Sequence, residues 1–363
     1  MAEARGARLS ALIEAMQQAH LDALLVTSLP NVRYLTGFGG TSALLLVTHR
    51  GDAVLITDFR YQTQAADEVG DRARVVIEAQ SLWTGLWQQL AGLPYVEVVG
   101  FESAHVLHRD FQRLLEAGAR WTWRPTADLV ERLRERKDAD EVARIREAGD
   151  VAVRALERTL AEVRPGLTEL AVAGILERAL REAGSEGFPF ETIVASGPRA
   201  ALPHARAAAR ELQRGDFLLI DFGAIVAGYC ADVTRTVVLG RADERQREVY
   251  DVVRAANALA SAQVRAGQTG RDADALARDY IDGRGYGEAF GHSLGHGIGL
   301  EVHEAPRLAR SAESILPPDS VVTIEPGIYL PGWGGVRIED DVHLAPTGPE
   351  VLTHFTRELL ELS

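Results

Sequence analysis

The chain has 363 residues, 46% apolar and 25% charged, which is enough for sizeable cores and excludes wholesale disorder. Acidic residues outnumber basic ones 52 to 39, and the net charge of −13 disfavours a broad nucleic-acid footprint. No segment approaches the roughly 20 apolar residues that span a bilayer. Residues 1–10 carry charges and no apolar run, so neither membrane insertion nor a secretory signal is expected, and the chain reads as cytoplasmic. Cys230 is the single cysteine, which excludes an intrachain disulfide and a cysteine-ligated metal cluster.

In chain order, Leu9, Leu12, Ile13 and Met16 recur at helical spacing and predict a buried stripe. An extended run over 22–27 ends near Pro30. The β-prone runs 42–48 and 52–57 flank the turn-like His49-Arg50-Gly51, the pattern of a hairpin. Short strands over 74–77 and 96–99 alternate with helices over 81–89 and 105–115. This half holds no dense group of ligand-type side chains, so packing, cleft shaping or subunit assembly is its expected work. A charged stretch over 131–146 opens a second domain, dividing the chain into 1–133 and 134–363. Leu129, Leu133, Val142, Ile145 and Ala148 predict one amphipathic surface continuing through 151–163. Lys137, Asp138, Asp140 and Glu141 read as its solvated face. Helices follow over 167–183, 244–263 and 272–281, with strands and turns elsewhere.

The chemistry-bearing residues lie in this second part. Asp221 and Asp232 stand on extended runs joined by a glycine-containing connection. A hairpin centred between Val226 and Ala227 would set them directly opposite, on one face. Two such carboxylates repel unless a proton or a cation joins them, although either could cap a turn instead. Farther on, His292, His296 and His303 concentrate in a glycine-rich segment. The spacing of His292 and His296 suits one helix face, but the neighbouring glycines argue against a helix. Glu325 ends a β-prone run just before Pro326-Gly327, and Glu339 lies on an apolar extended segment beyond the reversal at 332–335. Either glutamate alone could form a buried ion pair with Arg337. Four inward carboxylates without cations would be costly. Asp221, Asp232, His296, Glu325 and Glu339 together make an oxygen-rich set with one nitrogen. Two divalent ions would balance it, and Mn, Co, Zn or Fe would all suit such ligands.

With those motifs in that order, the sequence resembles the Xaa-Pro peptidases of the pita-bread metallopeptidase superfamily, the group of prolidase and aminopeptidase P. The resemblance covers essentially the whole chain. It implies an α/β N-terminal domain like that of creatinase and prolidase, followed by an α+β pita-bread catalytic domain. It also implies two divalent metals per subunit, Mn first with Co or Zn as alternatives. Asp221 would chelate one ion, Asp232 and Glu339 would bridge both, and His296 and Glu325 would ligate the other. An activated water would attack the scissile carbonyl, with Glu325 also moving the proton. His303 and His204 match substrate-facing histidines that could donate to a developing oxyanion or pack behind it. Arg307 resembles an arginine turned toward the proline carboxylate, while His292 and Arg337 would support the site. The implied substrate is a proline-containing peptide and the implied assembly a homodimer, with no nucleic-acid or membrane partner. Xaa-Pro dipeptidase is preferred on the strength of Arg307. Aminopeptidase P acting on longer peptides is the alternative, and a catalytically inactive binding protein is the reading of a different class.

Overall fold

The computed structural model describes residues 2–363, with side-chain environments from residue 6 onward. It divides into two compact units, one ending at Arg134 and the other running Glu135–Ser363. Among the described residues, no helix is long and apolar enough to cross a membrane.

In the first unit, helix α1 (Ala2–Gln18) turns Leu12 and Met16 fully inward, and strand β1 (Ala23–Val26) follows it. Helix α2 (Leu29–Thr36) takes Pro30 in its first turn, where a missing N–H is tolerated, and stops at Gly37 with φ 83°. The predicted hairpin is present as β2 (Ala43–Thr48) and β3 (Ala53–Asp58), paired antiparallel. Then come α3 (Gln62–Val69), β4 (Arg74–Glu78), α4 (Leu82–Ala91), β5 (Val98–Glu102), α5 (His108–Ala117), β6 (Thr122–Thr126) and α6 (Glu131–Arg134). The strands form one mixed sheet in the order β4-β3-β2-β1-β5-β6. Leu25, Leu46, Ile56, Leu86, Leu90 and Leu114 pack as its core.

The second unit begins with α7 (Ala139–Glu162) and α8 (Glu169–Ala183). Here two expectations fail. The amphipathic surface is not continuous, because α6 ends at Arg134 and Asp138 starts a new helix through a capping box with Glu141. Nor is the charged face solvated throughout: Asp140 is exposed, but Lys137 and Glu141 are only 4% and 2% exposed. Lys137 Nζ lies 3.2 Å from Glu304 Oε2, and Tyr229 donates to Glu141 at 3.0 Å. Charge pattern alone cannot reveal a partner so distant in sequence.

Strands β7 (Ile193–Ser196), β8 (Phe217–Val226) and β9 (Tyr229–Leu239) form the next sheet, and helices α9 (Glu244–Gln263) and α10 (Gly270–Gly283) follow. A second sheet is built from β10 (Gly295–Gly297), β11 (Glu304–Leu308) and β12 (Val321–Ile324). The hairpin β13 (Gly327–Leu330) and β14 (Gly334–Arg337) precedes β15 (Asp340–Ala345), β16 (Gly348–Val351) and β17 (Glu361–Leu362). Sheet orders are β17-β9-β8-β7 and β11-β10-β12-β15-β16. Strand alternation sorts β8 between two cores. Leu218, Ile220 and Phe222 pack with α7 and α8, whereas Phe217 and Leu219 pack with α9 and α10. Asp221 continues the second row.

Candidate active site

The β8–β9 hairpin turns at Ala227 and Gly228, both with positive φ (48° and 80°), as a two-residue type I′ turn requires. The register therefore differs from the expected one. Asp221 opposes Thr234, and Asp232 opposes Gly223, so the two aspartates are diagonal rather than directly opposite. They still share a face, because a displacement of two residues preserves side-chain direction. Gly223 leaves room for the crossing, since a Cβ there would lie 2.2 Å from the Ala231 carbonyl oxygen.

His296 is on β10, not on a helix, and His292 lies in the loop before it. The glycines flanking His296 let the strand squeeze between neighbours. A Cβ at Gly295 would meet Thr323 O at 1.9 Å, and one at Gly297 would meet Ala305 O at 2.1 Å. Glu325 follows β12 directly, and Glu339 sits between β14 and β15, tied to β9 by its N–H donating to Thr234 O at 3.1 Å.

These elements bring the acidic groups together. Ligand atoms of Asp232, His296 and Glu339 lie within 4.8 Å of one another. His296 Nε2 is 3.4 Å from Glu325 Oε1 and 3.9 Å from Asp232 Oδ2. Asp221 is not one of that trio; Arg337 donates to its Oδ2. Arg337 also donates to Thr234 Oγ1 at 3.1 Å and to the Tyr329 hydroxyl at 2.7 Å, and Tyr329 in turn meets His292 Nε2 at 2.9 Å. Thr234 was not singled out from the sequence, yet it donates to Glu339 Oε2 at 2.5 Å. Its place two residues beyond Asp232, on the same strand face, was the available signal.

The electrostatics test whether these residues suit cations. Burial, reinforced by Glu339 and Asp221, pushes the Asp232 carboxyl well above its usual range. Burial with Glu325 and Asp221 does the same to Glu339. Burial raises Glu325 to about 8 and lowers His296 to about 4. Asp221 Oδ1 and Asp232 Oδ1 are buried without a hydrogen-bond partner. Carboxylates that repel one another, keep orphaned acceptors and face a neutral imidazole fit divalent cations.

Around this cluster, the His303 ring meets that of His296 at 4.4 Å between centroids, at 70°. Partial desolvation lowers the His303 imidazole, with Arg307 and His204 adding to the shift. Arg307 is exposed on β11, directly opposite His296 in the strand register. His204 is exposed in the loop whose Pro203 carbonyl accepts from Arg337 at 3.3 Å.

The description of metallopeptidase family M24 matches residues 143–346, and that of the creatinase/prolidase N-terminal domain matches residues 8–136. The chain belongs to metallopeptidase family M24. It is thus a peptidase, with the creatinase/prolidase-type α/β domain and α+β pita-bread domain that its sequence predicted. Among M24 relatives, an Xaa-Pro dipeptidase from Bacillus anthracis is 40% identical, with a TM-score of 0.95 over 99% of this chain and 100% of that one. An X-Pro aminopeptidase from Thermotoga maritima is 38% identical, with a TM-score of 0.90 over 96% and 99%. The Xaa-Pro dipeptidase of Pyrococcus horikoshii is 34% identical over 96% of this chain and 97% of its own.

Proposed function

We propose that this chain is a dinuclear metal-dependent exopeptidase that hydrolyses Xaa-Pro dipeptides. The observation that carries the reading is the convergence of Asp232, His296, Glu325 and Glu339, with Asp221 on the same strand face as Asp232 and Arg307 opposite His296. Those five acidic and imidazole groups would hold two divalent ions, Mn first and Co or Zn as alternatives, which supply Lewis acidity and an acidified water. The protein's own groups divide the remaining work. Glu325, 3.4 Å from His296 Nε2, would accept and return the proton that the reaction moves. His303 and His204 would offer an N–H to a developing oxyanion. Arg337 and Tyr329 hold Asp221 and His292 in place through the hydrogen bonds described above.

Proline selectivity follows from its tertiary amide, which has no N–H to satisfy and carries a ring that needs a shaped recess. The exposed Arg307 guanidinium favours a free carboxylate one residue past the scissile bond, as an Xaa-Pro dipeptide presents it. The relatives named as Xaa-Pro dipeptidases support this preference over the aminopeptidase P alternative. A homodimer, on the family resemblance, and a cytoplasmic setting complete the proposal.

The test is a product assay at controlled Mn concentration, comparing Xaa-Pro with matched Xaa-Pro-Xaa. A larger kcat/KM is expected for the dipeptide. Arg307→Met should narrow that gap by about 1.5–3 kcal/mol, the worth of one charged contact. Efficient tripeptide cleavage without a dipeptide advantage would make aminopeptidase P the better assignment. Absence of any turnover with both metals bound would leave only a binding scaffold.

A further inference from the structure

Two of the expected metal-binding residues, Glu325 and Glu339, are separated by a whole hairpin, yet each must arrive at the same small volume. Both follow an isoleucine whose backbone carbonyl points toward helix α9. Asn257 on that helix is fully buried, and its amide nitrogen donates to Ile324 O at 2.9 Å and to Ile338 O at 3.0 Å. Both partners are carbonyl oxygens, so only the NH2 edge of the side chain can face them. One planar group thereby spans the two backbones immediately before the two glutamates.

Backbone bonds tether each stretch, Glu325 N–H to Leu294 O at 2.9 Å, Glu339 N–H to Thr234 O at 3.1 Å and Ile338 N–H to Pro326 O at 3.4 Å, and Asn257 adds a side-chain bridge between the two. Ile338 lies beyond the end of β14, and its carbonyl is outside the strand ladder that stops at Arg337. Ile324 is the last residue of β12. Each carbonyl sits at a strand end, beside a two-residue gap between the ladder pairs Ile324–Asp340 and Gly327–Arg337, and Asn257 is a side chain that bridges that gap. Asn257 Oδ1 is buried without a partner, a cost the fold carries while the NH2 edge keeps both bonds.

We propose that Asn257 is a positioning residue that fixes the spacing of Glu325 and Glu339 for metal binding. This inference rests on the dinuclear reading of the site. Removing the amide would loosen the short gap between the flanking ladder pairs, where the two glutamates lie, and would weaken Mn2+ binding with no change to any ligand. Outer partners of metal ligands characteristically carry 10- to 100-fold of metal affinity, and a clamp on backbone rather than on a ligand atom belongs near the lower figure.

The experiment is equilibrium dialysis of the full-length apoprotein against Mn2+ alone, alongside thermal unfolding of the same samples. Asn257→Leu should raise the dissociation constant about tenfold. Val253→Ala, a buried truncation one helical turn earlier in the same core, should lower Tm and leave the dissociation constant as in the parent. Asn257→Ser, smaller and with one donor retained, gives the same comparison if the leucine variant does not fold, and should weaken binding in the same direction. Equal loss of Mn2+ affinity in the Val253 and Asn257 variants, or no loss in the latter, would overturn the proposal. Glu325→Ala and Glu339→Ala complete the set. If those two bind Mn2+ like the parent, the reading of the site itself fails, and that outcome is distinct from a failure of the clamp alone.

Discussion

At Glu325 the cost of concentrating acid is visible as a change in proton affinity. Its carboxyl is raised to about 8 from an ordinary 4.5, chiefly by burial, and Asp232 and Glu339 are raised in the same sense. The metal-free folded state therefore keeps protons that the unfolded chain has released. The stability this contributes is full below about pH 4.5 and is lost as pH rises through about 8. His292 and His296, both lowered to about 4 by burial, act with the opposite sign, but only as pH falls from 6.5 toward 4. Above pH 6.5 the carboxylates act alone. Thermal unfolding should show the Tm of the metal-free protein falling from about pH 6.5 to about pH 8.5. Glu325→Gln should flatten that slope, and saturating Mn2+ should abolish it by replacing the protons. A metal-free Tm that rises over this window would show that the carboxylates are not the dominant buried charges.

Among the secondary-structure elements, β10 is the one that the site can least spare and the sequence least reveals. Helix α8 is legible in its spaced apolar residues, and α9 matches its expected span. A three-residue strand has no period to detect. Its signature was instead the run of glycines around His296, whose need for close backbone approach is a tertiary fact. Gly297→Ala should therefore displace the strand, since its Cβ would lie 2.1 Å from Ala305 O. The expected cost is about 1–3 kcal/mol in stability together with weaker Mn2+ binding. Gly174→Ala is the counterpart. That glycine lies within α8, and an added methyl would meet nothing within 4 Å, so alanine should stabilise by about 0.5–1 kcal/mol and leave metal binding alone. Chemical denaturation with Mn2+ titration distinguishes the two, and similar behaviour of both variants would remove close approach as the reason for the glycines around His296.

For the molecule as a whole, the two units keep separate cores, one around Leu25, Leu46 and Ile56 and the others around the strands and helices of the second unit. Trp83, Trp87, Trp121 and Trp123 pack in or against the first of these, so tryptophan fluorescence chiefly follows that unit. Leu25→Ala should lower its unfolding midpoint by the equivalent of about 3 kcal/mol while Mn2+ stoichiometry at room temperature stays as in the parent. Metal loss in that variant would show that the second unit's site depends on the first unit's core. The α/β alternation of the first unit and the order of acidic and histidine motifs in the second were legible because they are written in local residue types. The buried pairing of Lys137 with Glu304, the amide clamp of Asn257 and the exact strand register were not, because each depends on partners far along the chain. The type I′ turn at Ala227 and Gly228 has one more consequence, for heredity rather than for energy. Inserting a single residue between Asp221 and that turn would rotate the aspartate toward α7 and α8, while losing one would do the same. The interval from Asp221 to Asp232 is thus a ruler that admits changes of spelling but not of length, whereas between Asp232 and His296 the loops that join β9, α9, α10 and β10 can lengthen without moving any side chain of the site to another face.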